Sequence, residues 1–208
     1  VGLRSWWEHQ VLPRMVDVAL SEATSRRWRE MVAGRAEGRV LEVGFGSGHN
    51  LEHYPQAVTE VLAVEPIDLA WQRAVRRVEA FDRPVRRVGL DGAELPVESG
   101  SVDTVVSTWT MCTIPHIEAA VREMHRVLRP DGKVLYVEHV LSPHDRAGSI
   151  QRGVQPVWGA VAGGCHLDRD IDALLEAGGF TITPLTPRPG SDRFELVPFI
   201  AGEATPVG

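Results

Sequence analysis

Short apolar runs alternate along this chain with stretches whose apolar residues recur every three or four positions. Residues 39–43, 60–65, 85–90, 102–108 and 133–139 read as strands, and the apolar runs Val40 to Val43 and Val61 to Val64 suit buried parallel strands. The helical pattern comes first at Leu12, Met15, Val16 and Ala19, where Pro13 suits a first turn, and again at Trp28, Met31 and Val32, ending at Gly34. Residues 5–36 are therefore expected to be helical. A helix opened by Pro66 and Asp68 is expected through Ala80, with Leu69, Val75 and Val78 on its buried face. Another spans 117–128, with Ala120, Val121, Met124, Val127 and Leu128 on one side. Residues 141–165, rich in glycine, read as a long irregular loop. Asp168 is placed to cap a helix ending at Ala177 before Gly178 and Gly179, and residues 181–185 and 194–200 read as the last strands.

Alternation of strand and helix implies an α/β protein with a mostly parallel sheet, right-handed crossovers and helices on both faces. The 208 residues fit a single domain, 1–208. Within it, 1–36 form a helical cap, 37–140 a ligand-binding core and 141–208 an acceptor-side loop, helix and strands.

Charge narrows the partners. A net charge of −6 argues against a nucleic-acid binder, and the arginines at 26, 27 and 29 and at 73, 76 and 77 read as solvated helix faces. Cys112 and Cys165 make neither a disulfide framework nor a metal set, so no metal is expected and a reducing, cytoplasmic setting is. No apolar run approaches the roughly 18 residues of a membrane span, and Val1 to His9 lack the apolar core of a signal peptide. No stable membrane anchor is expected. The oligomeric state is left open.

The chemistry concentrates at Glu42-Val43-Gly44-Phe45-Gly46-Ser47-Gly48-His49-Asn50. An apolar strand stops at three glycines spaced two apart, where backbone can pass close to a ligand. His49 holds the position of a dinucleotide fingerprint's third glycine, which weighs against a nicotinamide-dependent oxidoreductase. Glu65, 21 residues after Gly44 at the end of the second strand, can accept both hydroxyls of a ribose. Asp91 and Gly92 form a polar turn after the third strand, again on the edge where open sheets bind ligands.

These residues resemble the S-adenosyl-L-methionine site of class I methyltransferases, which implies their Rossmann-like fold with a seven-stranded, mostly parallel sheet. The match extends through Leu95-Pro96, the 100–103 turn and the segment from Arg122 to Pro130, which look like the type 11 (UbiE-like) members. Asn50, Cys112-Thr113-Ile114-Pro115, Glu138-His139 and Gly163-Gly164-Cys165-His166-Leu167 resemble a bacterial subgroup similar to the mammalian alkyl-thiol S-methyltransferases. Phe45 stands where many members have Cys, and Asp131 replaces a usual glycine.

The resemblance implies that Gly44, Phe45, Gly46 and Gly48 hold the methionine part of the cofactor, Glu65 with Pro66 the ribose, and Asp91 with Gly92 and Ala93 the adenine. Glu42 orients the loop, and Asn50 and Thr108 complete the set. The expected partner is a small-molecule methyl acceptor, with a thiol foremost and a phospholipid amine, a quinone-like ring or another N-, O- or C-acceptor as alternatives. A non-catalytic cofactor-binding protein is the remaining alternative. His139 and His166 are the candidate catalytic groups, with His116 behind them, because histidine can take a proton near neutral pH. An apolar acceptor pocket is expected from Trp6, Trp7, Trp158 and the 110–113 turn.

Overall fold

The computed structural model describes residues 6–207; residues 1–5 of the expected cap and Gly208 lie outside them. Seven strands form one sheet: β1 (Gly38–Val43), β2 (Val58–Val64), β3 (Val85–Gly89), β4 (Val102–Thr108), β5 (Leu128–His139), β6 (Phe180–Pro184) and β7 (Phe199–Pro206). Their order is β3-β2-β1-β4-β5-β7-β6, with β7 antiparallel to both its neighbours and the other pairings parallel. Among the described residues, six α-helices accompany them: α1 (Leu12–Ala19), α2 (Glu22–Val32), α3 (Asp68–Ala80), α4 (Ile117–Val127), α5 (Asp145–Val161) and α6 (Ile171–Ala177). The seven-stranded, mostly parallel α/β architecture is the expected one.

Period-2 alternation sorts the strand residues between two cores. Leu41, Val43, Leu62, Val105 and Tyr136 face one way, against Ile117, Val121 and Met124 of α4 and Ile171 and Leu175 of α6. Val40, Val61, Ala63, Val106 and Leu135 face the other way, against Val32 of α2, Ala74 of α3 and Tyr54. The inner strands are sealed on both sides, which is why apolar residues occupy both of their faces.

Several local expectations needed correction. Residues 145–161 are helical, not irregular. Ala147, Gly148 and Gln151 form the buried face of α5, and a Cβ on Gly148 would stand 2.7 Å from the Ser142 carbonyl oxygen. This glycine serves close approach, not flexibility. Gln151 accepts from the Ser142 amide (2.6 Å) and donates to the carbonyls of Val140 and Leu167, so one buried side chain satisfies three backbone groups. The residue that caps α6 is Asp170, which accepts from the Ala173 amide; Asp168 does not cap it. The last strand begins at Phe199, because β5 offers a ladder only to Phe199–Ala204; Phe194, Leu196 and Val197 lie exposed ahead of it. In α3 the buried residues are Ala70 and Ala74, and Val75 faces solvent, because small side chains let the helix lie close to the glycine loop.

α1 crosses the C-terminal edge of the sheet as a cap with Met15, Val16 and Val18 exposed. A polar tether holds it. Asp17 accepts from His49 Nε2 (2.8 Å), just after the glycine loop, and from Arg73 Nε (3.0 Å) on α3. Burial pushes the Asp17 carboxyl up, but hydrogen bonds from Arg73, Ser47 and His49 outweigh it and bring the pKa down to about 2. Asp17 is therefore an acceptor only, and Nε2 carries the proton. Trp7 adds a bond from its indole N–H to the Val161 carbonyl (2.8 Å), joining the cap to the end of α5.

Burial also lowers the His49 pKa below its ordinary 6.5, despite the Asp17 bond that opposes it. A histidine with a depressed folded pKa contributes stability that is complete above about pH 6.5 and declines as pH falls through the window beneath it. The wild-type melting temperature should therefore fall more steeply from about pH 7.5 to about pH 5.5 than that of His49→Gln, measured by calorimetry. Parallel pH profiles for the two proteins would contradict this role.

Candidate active site

The chain runs β1-β2-β3 outward in one direction and then returns to place β4 on the other side of β1. Above that reversal, at the C-terminal ends of the strands, lies a cleft of about 650 Å³. Gly44 ends β1 with φ +78°, and a Cβ there would run into the side chain of Thr110. Phe45, Gly46 and Ser47 of the loop beyond it line the cleft. Glu65, just past β2, braces this loop: Oε2 accepts from the Gly46 amide (2.7 Å) and Oε1 from the Ile67 amide (2.8 Å). Burial raises its pKa, against the pull of those two amides and Arg87.

Beneath the loop lies a buried polar network. Glu42 accepts from Asn50 Nδ2 (2.8 Å) and the Tyr54 hydroxyl (2.6 Å). Asn50 also donates to Thr108 Oγ1 (3.2 Å), and its carbonyl oxygen accepts from Arg29 (2.7 Å). Burial drives the Glu42 pKa up to about 7, with Tyr54, Asn50 and the Arg29 charge opposing it. Arg29 belongs to α2 and was expected on a solvated face. It is buried, lines the cleft, bonds Ser25 and the Leu20 carbonyl, and lies 5.1 Å from the centre of the Trp109 ring. Trp109 holds a left-handed backbone, φ +53°, and its buried indole N–H has no partner among the described residues. Strain of this kind, of the order of 1–3 kcal/mol, persists where the surroundings impose it.

Of the residues expected to bind the cofactor, Gly44, Phe45, Gly46, Glu65, Pro66, Asp91, Gly92 and Thr108 line the cleft. Glu42, Gly48, Asn50 and Ala93 are not among its lining residues. The Asp91 carboxylate accepts from the Ala93 amide (2.8 Å), closing the expected turn. His166 lines the cleft, half-buried, with Nδ1 3.6 Å from Asp168. His139 does not line it: buried at the end of β5, it points Nε2 at Cys165 Sγ, 2.9 Å away. His116 is exposed at the start of α4. The apolar wall also differs from expectation. Trp6, Trp7 and Trp158 are not among its residues; Leu12, Pro13, Val16, Leu20, Trp109 and Ile114 are. The i, i+4 spacing of Leu12, Val16 and Leu20 carried this signal, but nothing in the sequence told a stripe over a cleft from one over a core. Among the described residues, no helix is long and apolar enough to cross a membrane.

The methyltransferase-domain family matches residues 41–136. Human thiol S-methyltransferase TMT1A is 32% identical, over 98% of this chain and 89% of that protein. The phosphatidylethanolamine N-methyltransferase of Cereibacter sphaeroides is 29% identical, over 86% of this chain and 88% of that one. Among solved structures, a SAM-dependent methyltransferase of Thermotoga maritima superposes with a TM-score of 0.63 at 19% identity, covering 95% of this chain and 99% of that chain. With the glycine loop and acidic strand end on the reversal of this sheet, the chain belongs to the class I S-adenosylmethionine-dependent methyltransferases, in the family that includes thiol S-methyltransferase TMT1A.

Proposed function

We propose that the cleft holds S-adenosylmethionine along the strand ends and that the acceptor is a small apolar thiol seated under the α1 cap. The observation carrying this reading is that a single cavity joins two unlike walls. One is the glycine loop with Glu65; the other is Leu12, Val16, Leu20 and Ile114.

The residues present suit the cofactor. Glu65 reaches the cleft with lone pairs left for a ribose diol. Ile67 and Leu90 flank the place of the adenine, and Asp91 can accept from its amine. Arg29 offers a buried positive charge to the methionine carboxylate, beside Thr108. Glu42, Gly48, Asn50 and Ala93 act in this reading by fixing the loop and turn. When bound, the cofactor supplies an electrophilic methyl on a sulfonium sulfur, and its sulfur leaves neutral, so no developing oxyanion needs donors.

The protein's task is geometric: to hold the nucleophile in line, about 3 Å from the methyl carbon. Apolar walls also strip water from the sulfur and disfavour polyanionic acceptors. A thiol, with reference pKa about 8.5, needs little help to ionise. His166, on the cleft and open to solvent, is placed to take the proton. TMT1A and its relatives support sulfur as the acceptor atom. A second reading, a phospholipid amine, is favoured by the similarity to the Cereibacter sphaeroides enzyme and by an exposed apolar stripe on α5, at Ile150, Val154, Val157 and Val161, running toward the rim of the cleft. A cytoplasmic setting accords with two free cysteines.

Replacing Glu65 by Ala should weaken S-adenosylhomocysteine binding by about 1.5–3 kcal/mol, roughly ten- to a hundredfold, by calorimetry. An unchanged affinity would remove Glu65 from the site. For the acceptor, the enzyme should be incubated with S-adenosylmethionine and alkyl thiols, aryl amines, phenols or phosphatidylethanolamine, with product detected by mass. Alkyl thiols should be methylated, at a rate that rises with pH as the thiol ionises. Turnover of the lipid amine with every thiol inert would overturn the thiol reading and leave the cofactor assignment standing.

A further inference from the structure

Behind the acceptor side of the cleft, three segments far apart in sequence bring soft donor atoms together. Cys112 follows β4, His139 ends β5, and Cys165 follows α5. Cys112 Sγ lies 3.9 Å from Cys165 Sγ, Cys165 Sγ lies 2.9 Å from His139 Nε2, and all three atoms fall within 4.8 Å of one another. All three side chains are buried. We propose that Cys112, His139 and Cys165 form a binding site for a soft divalent cation, with zinc the foremost occupant.

The donor spacing suits a tetrahedral ion. Zinc–sulfur bonds of about 2.3 Å and zinc–nitrogen bonds of about 2.0 Å place two sulfurs about 3.8 Å apart and a sulfur about 3.5 Å from a nitrogen. The sulfur pair already has this spacing. The imidazole has to open by about 0.6 Å from Cys165 and settle about 3.5 Å from Cys112 Sγ, from which it now lies within 4.8 Å, replacing its hydrogen bond to Cys165 with a shared metal. Two thiolates and an imidazole select zinc over magnesium or calcium, which take oxygen donors. Binding releases the two thiol protons, and the resulting dithiolate neutralises the ion's charge. Three protein donors leave a fourth position for a water molecule.

The backbone carrying these donors is held from outside the cluster, while the buried His139 Nδ1 has no hydrogen-bond partner among the described residues. Glu138 accepts from the amides of Thr110 (2.8 Å) and Met111 (2.9 Å), fixing the turn that delivers Cys112. The His166 amide donates to the Cys112 carbonyl (2.9 Å), and Gln155 donates to the Cys165 carbonyl (3.0 Å). A cation here would clamp the turn after β4 to the Gly163–Gly164 turn, both of which line the cleft. The site does not depend on which acceptor the enzyme uses.

The test is metal content, not turnover. Untagged full-length protein, purified under reducing conditions, should carry about one zinc per chain by mass spectrometry, falling below about a tenth in Cys112→Ser, Cys165→Ser and His139→Gln. Because a buried substitution can unfold the chain, wild-type protein stripped of metal and loaded with cobalt supplies a second readout. It should show the visible bands of tetrahedral cobalt and near-ultraviolet thiolate charge transfer, both erased by added zinc. Wild-type protein with both thiols reduced that holds no zinc and takes up no cobalt would overturn the proposal, as would folded variants that keep their metal.

Discussion

Enclosing the Glu42 carboxylate between strands obliges the surrounding chain to supply it with donors, because an unpartnered charge there would cost several kcal/mol. Asn50 and Tyr54 meet that demand, and both belong to the segment just beyond the glycine loop. Asn50 then passes the constraint to Thr108 at the end of β4 and to Arg29 on α2. One buried acid thus sets the position of the loop, a cleft-lining hydroxyl and a cleft-lining cation. The arrangement carries a cost: with the Glu42 pKa raised from 4.5 to about 7, its contribution to stability is greatest at low pH and declines as pH rises through that window. The fold gives up stability at neutral pH to keep a fixed site.

Over this rigid floor the cap is fastened differently. α1 exposes Met15, Val16 and Val18 and is tied down chiefly through Asp17, whose partners sit on the glycine loop's exit and on α3. Polar tethers at a partly exposed site contribute modestly compared with burial of apolar surface, so the cap is the weaker part of the cleft wall. That asymmetry suits an enzyme that must admit two ligands and still exclude water during transfer. The same tether, through His49, links the cap to the exit of the glycine loop.

Much of this was legible in the sequence where one local rule acts alone. The unbroken apolar run at Val61–Val64 pointed to a doubly covered strand, and the glycine spacing after Val43 marked the sheet edge over which the cleft opens. Errors came where tertiary contact decides. Gly148 and Gly153 suggested a loop, yet α5 forms because Gln151 anchors it and Gly148 lets it lie against Ser142. Arg29 shares a run with Arg26, and only the packing of α2 on the sheet distinguishes the buried arginine from its exposed neighbour. Cys112, His139 and Cys165 are too far apart in sequence for any spacing rule to join them. Their meeting follows from sheet order, which brings β4 beside β5 and folds the end of α5 back over both.

The central claim is that one cleft at the sheet's reversal binds S-adenosylmethionine with Glu65 on its ribose and Arg29 at its carboxylate. A crystal structure of the complex with S-adenosylhomocysteine tests it most directly. The account predicts the ribose hydroxyls within hydrogen-bonding distance of Glu65, the adenine between Ile67 and Leu90 beside Asp91, and the sulfur facing the Leu12, Val16 and Ile114 wall. Density for the ligand elsewhere on the molecule, or in the cleft with its ribose away from Glu65, would contradict it.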